Sequence, residues 1–171
     1  RKQEAAINRF SHFIAPVQGI DLHFIQEKGD GPSPLPLIIS HGWPGSIVEF
    51  LDIIQPLAHP QRFGGSTDDA FDVIVPSLPG FGFSGRPGRP IGPRKMAELF
   101  NRLMIDVLGY SNYLAQGGDW GGAISSWLGF EHAPACQAIH INILTMRHPD
   151  GPHGPEEEAW AVQFEHDRSL E

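Results

Sequence analysis

The stretch Gly117-Gly118-Asp119-Trp120-Gly121-Gly122 constrains this chain more than any other. A short apolar run, Tyr113-Leu114-Ala115, leads into it, and a helix-like run, Ala123 to Phe130, leads out. The pattern predicts a strand, a very tight turn and a helix, with Asp119 the one polar side chain at the apex. The glycines have a steric reason: a residue held in a strained turn needs small neighbours, because a Cβ beside it would strike the strand or the incoming helix. The turn also sets Asp119 at a helix N-terminus, where the positive end of the dipole favours an ionised carboxylate. A plainer role is open at this point, in which Asp119 only caps the helix that follows.

An apex aspartate selects a reaction. A carboxylate that attacks an acyl carbon gives a high-energy anhydride. One that attacks a saturated carbon bearing a leaving group gives an ordinary ester, which water can open at the carboxyl carbon of the aspartate. Epoxides and alkyl halides are the substrates that suit such a nucleophile.

The rest of the chain reads as alternating elements. Lys2 to Arg9 resembles the end of a helix, and Phe10–Val17 and Ile20–Gln26 read as two strands turning at Gln18-Gly19. In the second, Ile20, Leu22 and Phe24 alternate with Asp21, His23 and Ile25, roughly the period of a half-buried strand. Leu37 to Ser40 is a buried-strand run that ends in His41-Gly42-Trp43-Pro44-Gly45. Ser46-Ile47-Val48-Glu49 fits a capping box, opening a helix with an apolar face of Phe50, Ile53, Ile54 and Leu57 that Pro56 ends or kinks. A polar loop over residues 58–70 precedes a strand, Phe71 to Val75, and a Gly-rich turn, Pro79 to Gly85. Arg94 to Leu108 has helical spacing through Met96, Leu99, Phe100, Leu103 and Val107, stopped by Gly109. After the Asp119 helix come a strand, Ala138 to Leu144, a loop, Met146 to Pro155, and an acidic amphipathic helix, Glu156 to Phe164. A hairpin followed by alternating strands and helices predicts an α/β fold with a mostly parallel sheet. Its site lies at the carboxyl ends of the strands, where His41-Gly42-Trp43-Pro44 and Asp119 both fall.

Composition limits the partners. A chain of 171 residues with 40% hydrophobic and 19% charged residues is globular in character. A formal net charge of -8 argues against a nucleic-acid partner. No run has the length and apolarity of a membrane span, and no signal peptide is visible. Cys136 is the sole cysteine, so an internal disulfide is excluded, a cysteine metal site is disfavoured, and a reducing, cytoplasmic setting is preferred over a membrane-associated one. The start at Arg1 and the end inside a charged helical run lead us to expect part of a longer chain.

An ester at Asp119 passes through a tetrahedral intermediate whose oxyanion needs N–H donors. In α/β-hydrolases, whose G-x-S-x-G nucleophile elbow the G-x-D-x-G pattern here resembles, the residue after the nucleophile supplies one and a loop after an earlier strand the other; Trp120 and Trp43 occupy those places. His41-Gly42-Trp43-Pro44 alone is an ordinary turn sequence; paired in this order with G-x-D-x-G it carries far more. Together with Phe71 to Ser84 these motifs resemble the microsomal-type epoxide hydrolases of the α/β-hydrolase superfamily, over nearly the whole chain. The resemblance implies a catalytic Asp119 with oxyanion-hole N–H groups from Trp43 and Trp120, a small apolar epoxide and water as substrates, and no cofactor or metal. It divides the chain into a helix end and hairpin (1–36), the first half of the hydrolase core (37–145), and a loop with the start of a helical cap (146–171). It also implies that two cap tyrosines, a carboxylate and a histidine follow beyond residue 171. The tyrosines present, Tyr110 and Tyr113, both precede Asp119 and match no cap position.

Other polar residues read as structural. Ser84 in Gly82-Phe83-Ser84-Gly85 is a turn residue, because the full G-x-S-x-G form is lacking. His140 reads as a satisfied core histidine and Cys136 as an inert core or surface residue. His148, His153 and His166 with Asp150 and Glu156 to Glu158 match no zinc spacing. The glycines of 80–85 lack the Lys-Ser/Thr pair of a phosphate loop.

Two alternatives stand beside the epoxide reading. A haloalkane dehalogenase would use the same nucleophile, with the indoles of Trp43 and Trp120 available to a halide. A catalytically incomplete half-domain is the other. A chain ending at Glu171 is expected to be inactive alone and to present an apolar sheet edge that invites self-association, hence a homo-oligomer.

Overall fold

The computed structural model describes residues 1–143 and 150–168. A short helix α1 (Lys2–Ile7) precedes the strands β1 (His12–Val17) and β2 (Ile20–Glu27). Then follow β3 (Leu35–Ser40), α2 (Leu51–Ala58), β4 (Phe71–Pro76), α3 (Pro93–Arg102), β5 (Tyr113–Gly117), α4 (Trp120–Glu131), β6 (Cys136–Ile141) and α5 (Pro155–Arg168). The six strands form one sheet in the order β1-β2-β4-β3-β5-β6. β1 and β2 pair antiparallel, β2 joins β4 antiparallel, and β4, β3, β5 and β6 run parallel. This is the α/β-hydrolase type of sheet with an N-terminal hairpin.

Period-two alternation along the strands splits the core into two layers. Leu22, Phe24, Ile38, Ile74 and Ala115 pack with α3 and α4 residues such as Leu99, Phe100, Ile124 and Leu128. Ile25, Leu37, Ile39, Val73 and Val75 pack with Phe10 and with Ile47, Leu51, Ile54 and Ala58. The central strands are covered on both faces. β2 is therefore not half-buried as its alternation suggests: Leu22, His23, Phe24 and Ile25 are all buried.

Several boundaries move for physical reasons. The capping box is present, with Ser46 accepting from Val48 and Glu49 reaching back to Ser46, but it opens a 3-10 turn (Ile47–Phe50) ahead of α2. That tighter turn shifts the helical phase, so Leu51, Ile54 and Ala58 face the core and Ile53 is exposed. Pro56 lies within α2, which runs on to Ala58. α3 gives way at Leu103–Val107 to a π-helical segment, whose wider turn rotates Val107 into solvent. The polar loop at 58–70 holds two 3-10 turns, Pro60–Phe63 and Thr67–Asp69. α4 begins at Trp120 and β6 at Cys136, both earlier than expected. His140 is exposed rather than a core histidine, because among the described residues β6 lies last in the strand order and pairs only with β5. Leu144, the loop's start at Met146, and His148 lie outside the described residues.

Buried His23 is satisfied by a chain whose donors run in one direction. His12 Nε2 lies 3.0 Å from the Ile7 carbonyl, which only accepts, so the proton is on that nitrogen. His12 Nδ1 then accepts from His23 Nε2 at 2.8 Å, and His23 Nδ1 accepts from the Ser77 hydroxyl at 2.9 Å. Burial first, and the neighbouring His12 second, push the His23 pKa down to about 4. Between the ordinary histidine value and about 4 the unfolded chain therefore binds more protons than the folded one. Stability from neutral His23 is present above about pH 6.5 and is lost as pH falls toward 4, by up to about 3 kcal/mol. We expect urea midpoints to fall over that window, and His23→Phe to remove this component. Parallel midpoint-versus-pH curves for the two proteins would exclude it.

Candidate active site

β3 and β5 are adjacent and parallel, with Ser40 opposite Gly117. Their carboxyl ends thus deliver the His41-Gly42-Trp43 loop and the Asp119 turn side by side. Asp119 has φ 53° and ψ -125°, a conformation that costs a non-glycine residue about 1–3 kcal/mol. Its neighbours show why they are glycines. A Cβ on Gly117 would run into the Gly121 backbone, one on Gly118 into the Asn142 amide, and one on Gly121 into the Ser40 carbonyl. A Cβ on Gly42 would lie 2.6 Å from Asp119 Cβ and 2.7 Å from its Oδ1.

The Asp119 side chain makes no capping hydrogen bond to its own helix. Its Oδ1 instead accepts the Trp43 N–H across the sheet at 2.8 Å. Trp120 is the first residue of α4, and a helix leaves its first N–H groups without intrahelical partners. The carboxylate therefore accepts one N–H aimed at it from the β3 loop and belongs to the residue directly before the first N–H of α4. The Trp43–Pro44 peptide is cis.

A cavity of about 330 Å³ opens at this point, lined among others by Trp43, Glu49, Phe50, Asp119, Asn142 and Ile143. Glu49 is fixed there by the capping box. His41 is buried beneath the loop. Leu78 N–H donates to His41 Nε2 at 3.0 Å, so the proton is on Nδ1, which donates to the Gly42 carbonyl at 2.8 Å. Burial lowers the His41 pKa, while the Gly42 bond and Glu49 act in the opposite sense.

The site residues read from the sequence come together: Trp43 touches Asp119, and Trp120 adjoins it. Sequence reasoning placed His41 in the site's loop but gave its side chain no role, and missed Glu49 and Asn142 as parts of the site. Glu49 was legible as a capping-box acid, but nothing local in the sequence points Asn142 at the elbow. Tyr110 and Tyr113 are elsewhere. The Tyr110 hydroxyl donates to Asp72 and the Tyr113 hydroxyl to Asn101. Cys136 is buried, which raises its pKa to about 11. The His153 N–H donates to Glu157 at the start of α5.

A family model described as epoxide hydrolase N terminus matches residues 1–50, and one described as alpha/beta hydrolase fold matches residues 36–168. The chain belongs to the α/β-hydrolase family, among its microsomal-type epoxide hydrolases. Epoxide hydrolase 1 of Oryctolagus cuniculus is 36% identical over 151 residues, covering 85% of this chain and 33% of that protein. Juvenile hormone epoxide hydrolase 1 of Ctenocephalides felis is 39% identical over 153 residues, covering 87% of this chain and 32% of that protein. The solved structure of the Aspergillus niger epoxide hydrolase aligns with a TM-score of 0.77 at 36% identity, over 93% of this chain and 40% of that one. The chain spans about a third of the length of these two curated relatives.

Close approach at Gly42 gives a direct test in this family member. Gly42→Ala is expected to displace the Asp119 apex and break the Trp43 N–H bond to its carboxylate. Because the nearest atom is Asp119 Cβ, fixed to the strained turn, the thermal midpoint should fall as well. An unmoved Trp43 amide resonance and thermal midpoint would show that the carboxylate does not need this loop so near.

Proposed function

We propose that the full protein hydrolyses epoxides through an ester on Asp119. The reading rests on one observation above the rest: the Asp119 carboxylate, in a strained turn, is held by the Trp43 N–H instead of capping its own helix. Oδ1 is held, which leaves Oδ2 to attack an epoxide carbon. The ring C–O bond breaks, and its oxygen takes a proton from donors that this reading expects beyond residue 171. Water, activated by a histidine also expected there, then attacks the carboxyl carbon of Asp119. The N–H groups of Trp43 and Trp120 hold the oxyanion, the ester bond breaks, and a diol leaves with the carboxylate restored. A small apolar epoxide suits the cavity, and the chemistry needs no cofactor.

The test is Asp119→Asn in the full-length protein, assayed fresh. Diol formation should fall by about 10³-fold or more, the scale of removing a nucleophile. A single turnover in ¹⁸O-water should label Asp119 and leave the diol unlabelled. Label in the first diol would mean direct attack by water and would overturn the ester mechanism.

A further inference from the structure

The hydrogen bond that holds Asp119 is the end of a longer series. The His23 backbone N–H donates to Ser84 Oγ at 3.0 Å. The Ser84 hydroxyl donates to the Ser77 carbonyl at 2.8 Å. That carbonyl shares a peptide group with the Leu78 N–H, which donates to His41 Nε2 at 3.0 Å. His41 Nδ1–H donates to the Gly42 carbonyl at 2.8 Å, and Gly42 shares a peptide group with the Trp43 N–H. Trp43 donates to Asp119 Oδ1 at 2.8 Å. Every link accepts on one side and donates on the other, and the two intervening peptide planes are each gripped at both ends. The Gly42 carbonyl also accepts the Gly45 N–H at 3.0 Å.

We propose that Ser84 and His41 are positioning residues for the Trp43 N–H, fixing it on the Asp119 carboxylate through this one-directional chain from β2. The inference rests on the epoxide-opening reading above. Bonds polarised in series strengthen one another in a low-dielectric interior, so the terminal donor gains both direction and strength. The geometry limits the chain at each joint. His41 works only as the neutral Nδ1–H form, because a proton on Nε2 would meet the Leu78 N–H. Ser84 needs a hydroxyl, since the same atom must accept from His23 and donate to Ser77. Among the described residues, Glu49 is the titratable side chain whose charge bears on His41, and His12 the one that bears on His23. Ser77 Oγ separately braces the same turn by its bond to the His23 ring.

The experiment compares Ser84→Ala and Ser84→Thr in the full-length enzyme on an aryl epoxide. Ser84→Ala should lower kcat about tenfold with KM within about twofold, less than the loss from deleting an oxyanion donor outright. Ser84→Thr keeps the hydroxyl and should restore kcat. A Ser84→Ala enzyme with wild-type kcat overturns the proposal, and so does a loss that Thr leaves unrescued. Independently, ¹⁵N spectra of the wild-type histidines at neutral pH should show His41 protonated on Nδ1 with Nε2 bare. The opposite tautomer breaks the chain whatever the kinetics show. A wild-type enzyme that opens no epoxide would instead remove the proposed function. The chain would then be judged by the His41 tautomer and by whether the Trp43 amide resonance shifts in Ser84→Ala.

Discussion

The contact between the Trp43 N–H and the Asp119 carboxylate depends on two backbones lying closer than ordinary side chains permit. β3 and β5 are neighbours in parallel register, so their ends are one strand spacing apart. α4 must then leave the end of β5 within two residues, Gly118 and Asp119, and Asp119 takes positive φ. Gly117 and Gly121 clear the inside of that turn, and Gly42 clears the space before the carboxylate. Each of these features has meaning only with the others. A larger residue at any of the three would move the apex, and the strain at Asp119 would lose the packing that sustains it.

Strain in one place is carried by order elsewhere. Two apolar layers, one on each face of the sheet, fix the strands whose ends bear the site. On the first face α3 and α4 lock β5 from behind, and on the second the capping box and α2 hold the loop that follows Trp43. The buried side chains of His23, His41 and Ser77 are tied to neighbouring segments by directional bonds. The apolar layers supply bulk stability, and the polar links fix the loop geometry that nondirectional packing leaves loose.

The elbow, the hairpin and the Trp43–Asp119 pairing were legible in the sequence, since each rests on local spacing or on steric needs that only glycine meets. The features that were not legible depend on phase or on register. Ile53 and Val107 were assigned to the core by an ideal helical period. A 3-10 turn before α2 and a π segment after α3 rotate each of them outward. The early start of α4 was hidden because Gly121 and Gly122 look like breakers, whereas they sit in the helix to let it approach Ser40 and Ile143. His41, Ser84 and Asn142 acquire their surroundings from strands far apart in sequence. Ser84 read as a turn residue and is one, but its hydroxyl also joins β2 to the end of β4.

The placement of Cys136 bears on the chemical selectivity of the whole molecule. An epoxide is an electrophile, and a free thiolate is among the strongest nucleophiles a protein offers. With its pKa raised to about 11, the lone cysteine carries thiolate in only about one molecule in 10⁴ at pH 7, and it is enclosed beneath the sheet edge. The sulfur nucleophile is thereby both silenced and hidden, while the Asp119 carboxylate stands at the mouth of the cavity. Under the proposed function, chemoselectivity would come from access and charge state rather than from intrinsic reactivity, and the thiol would be spared alkylation by an epoxide.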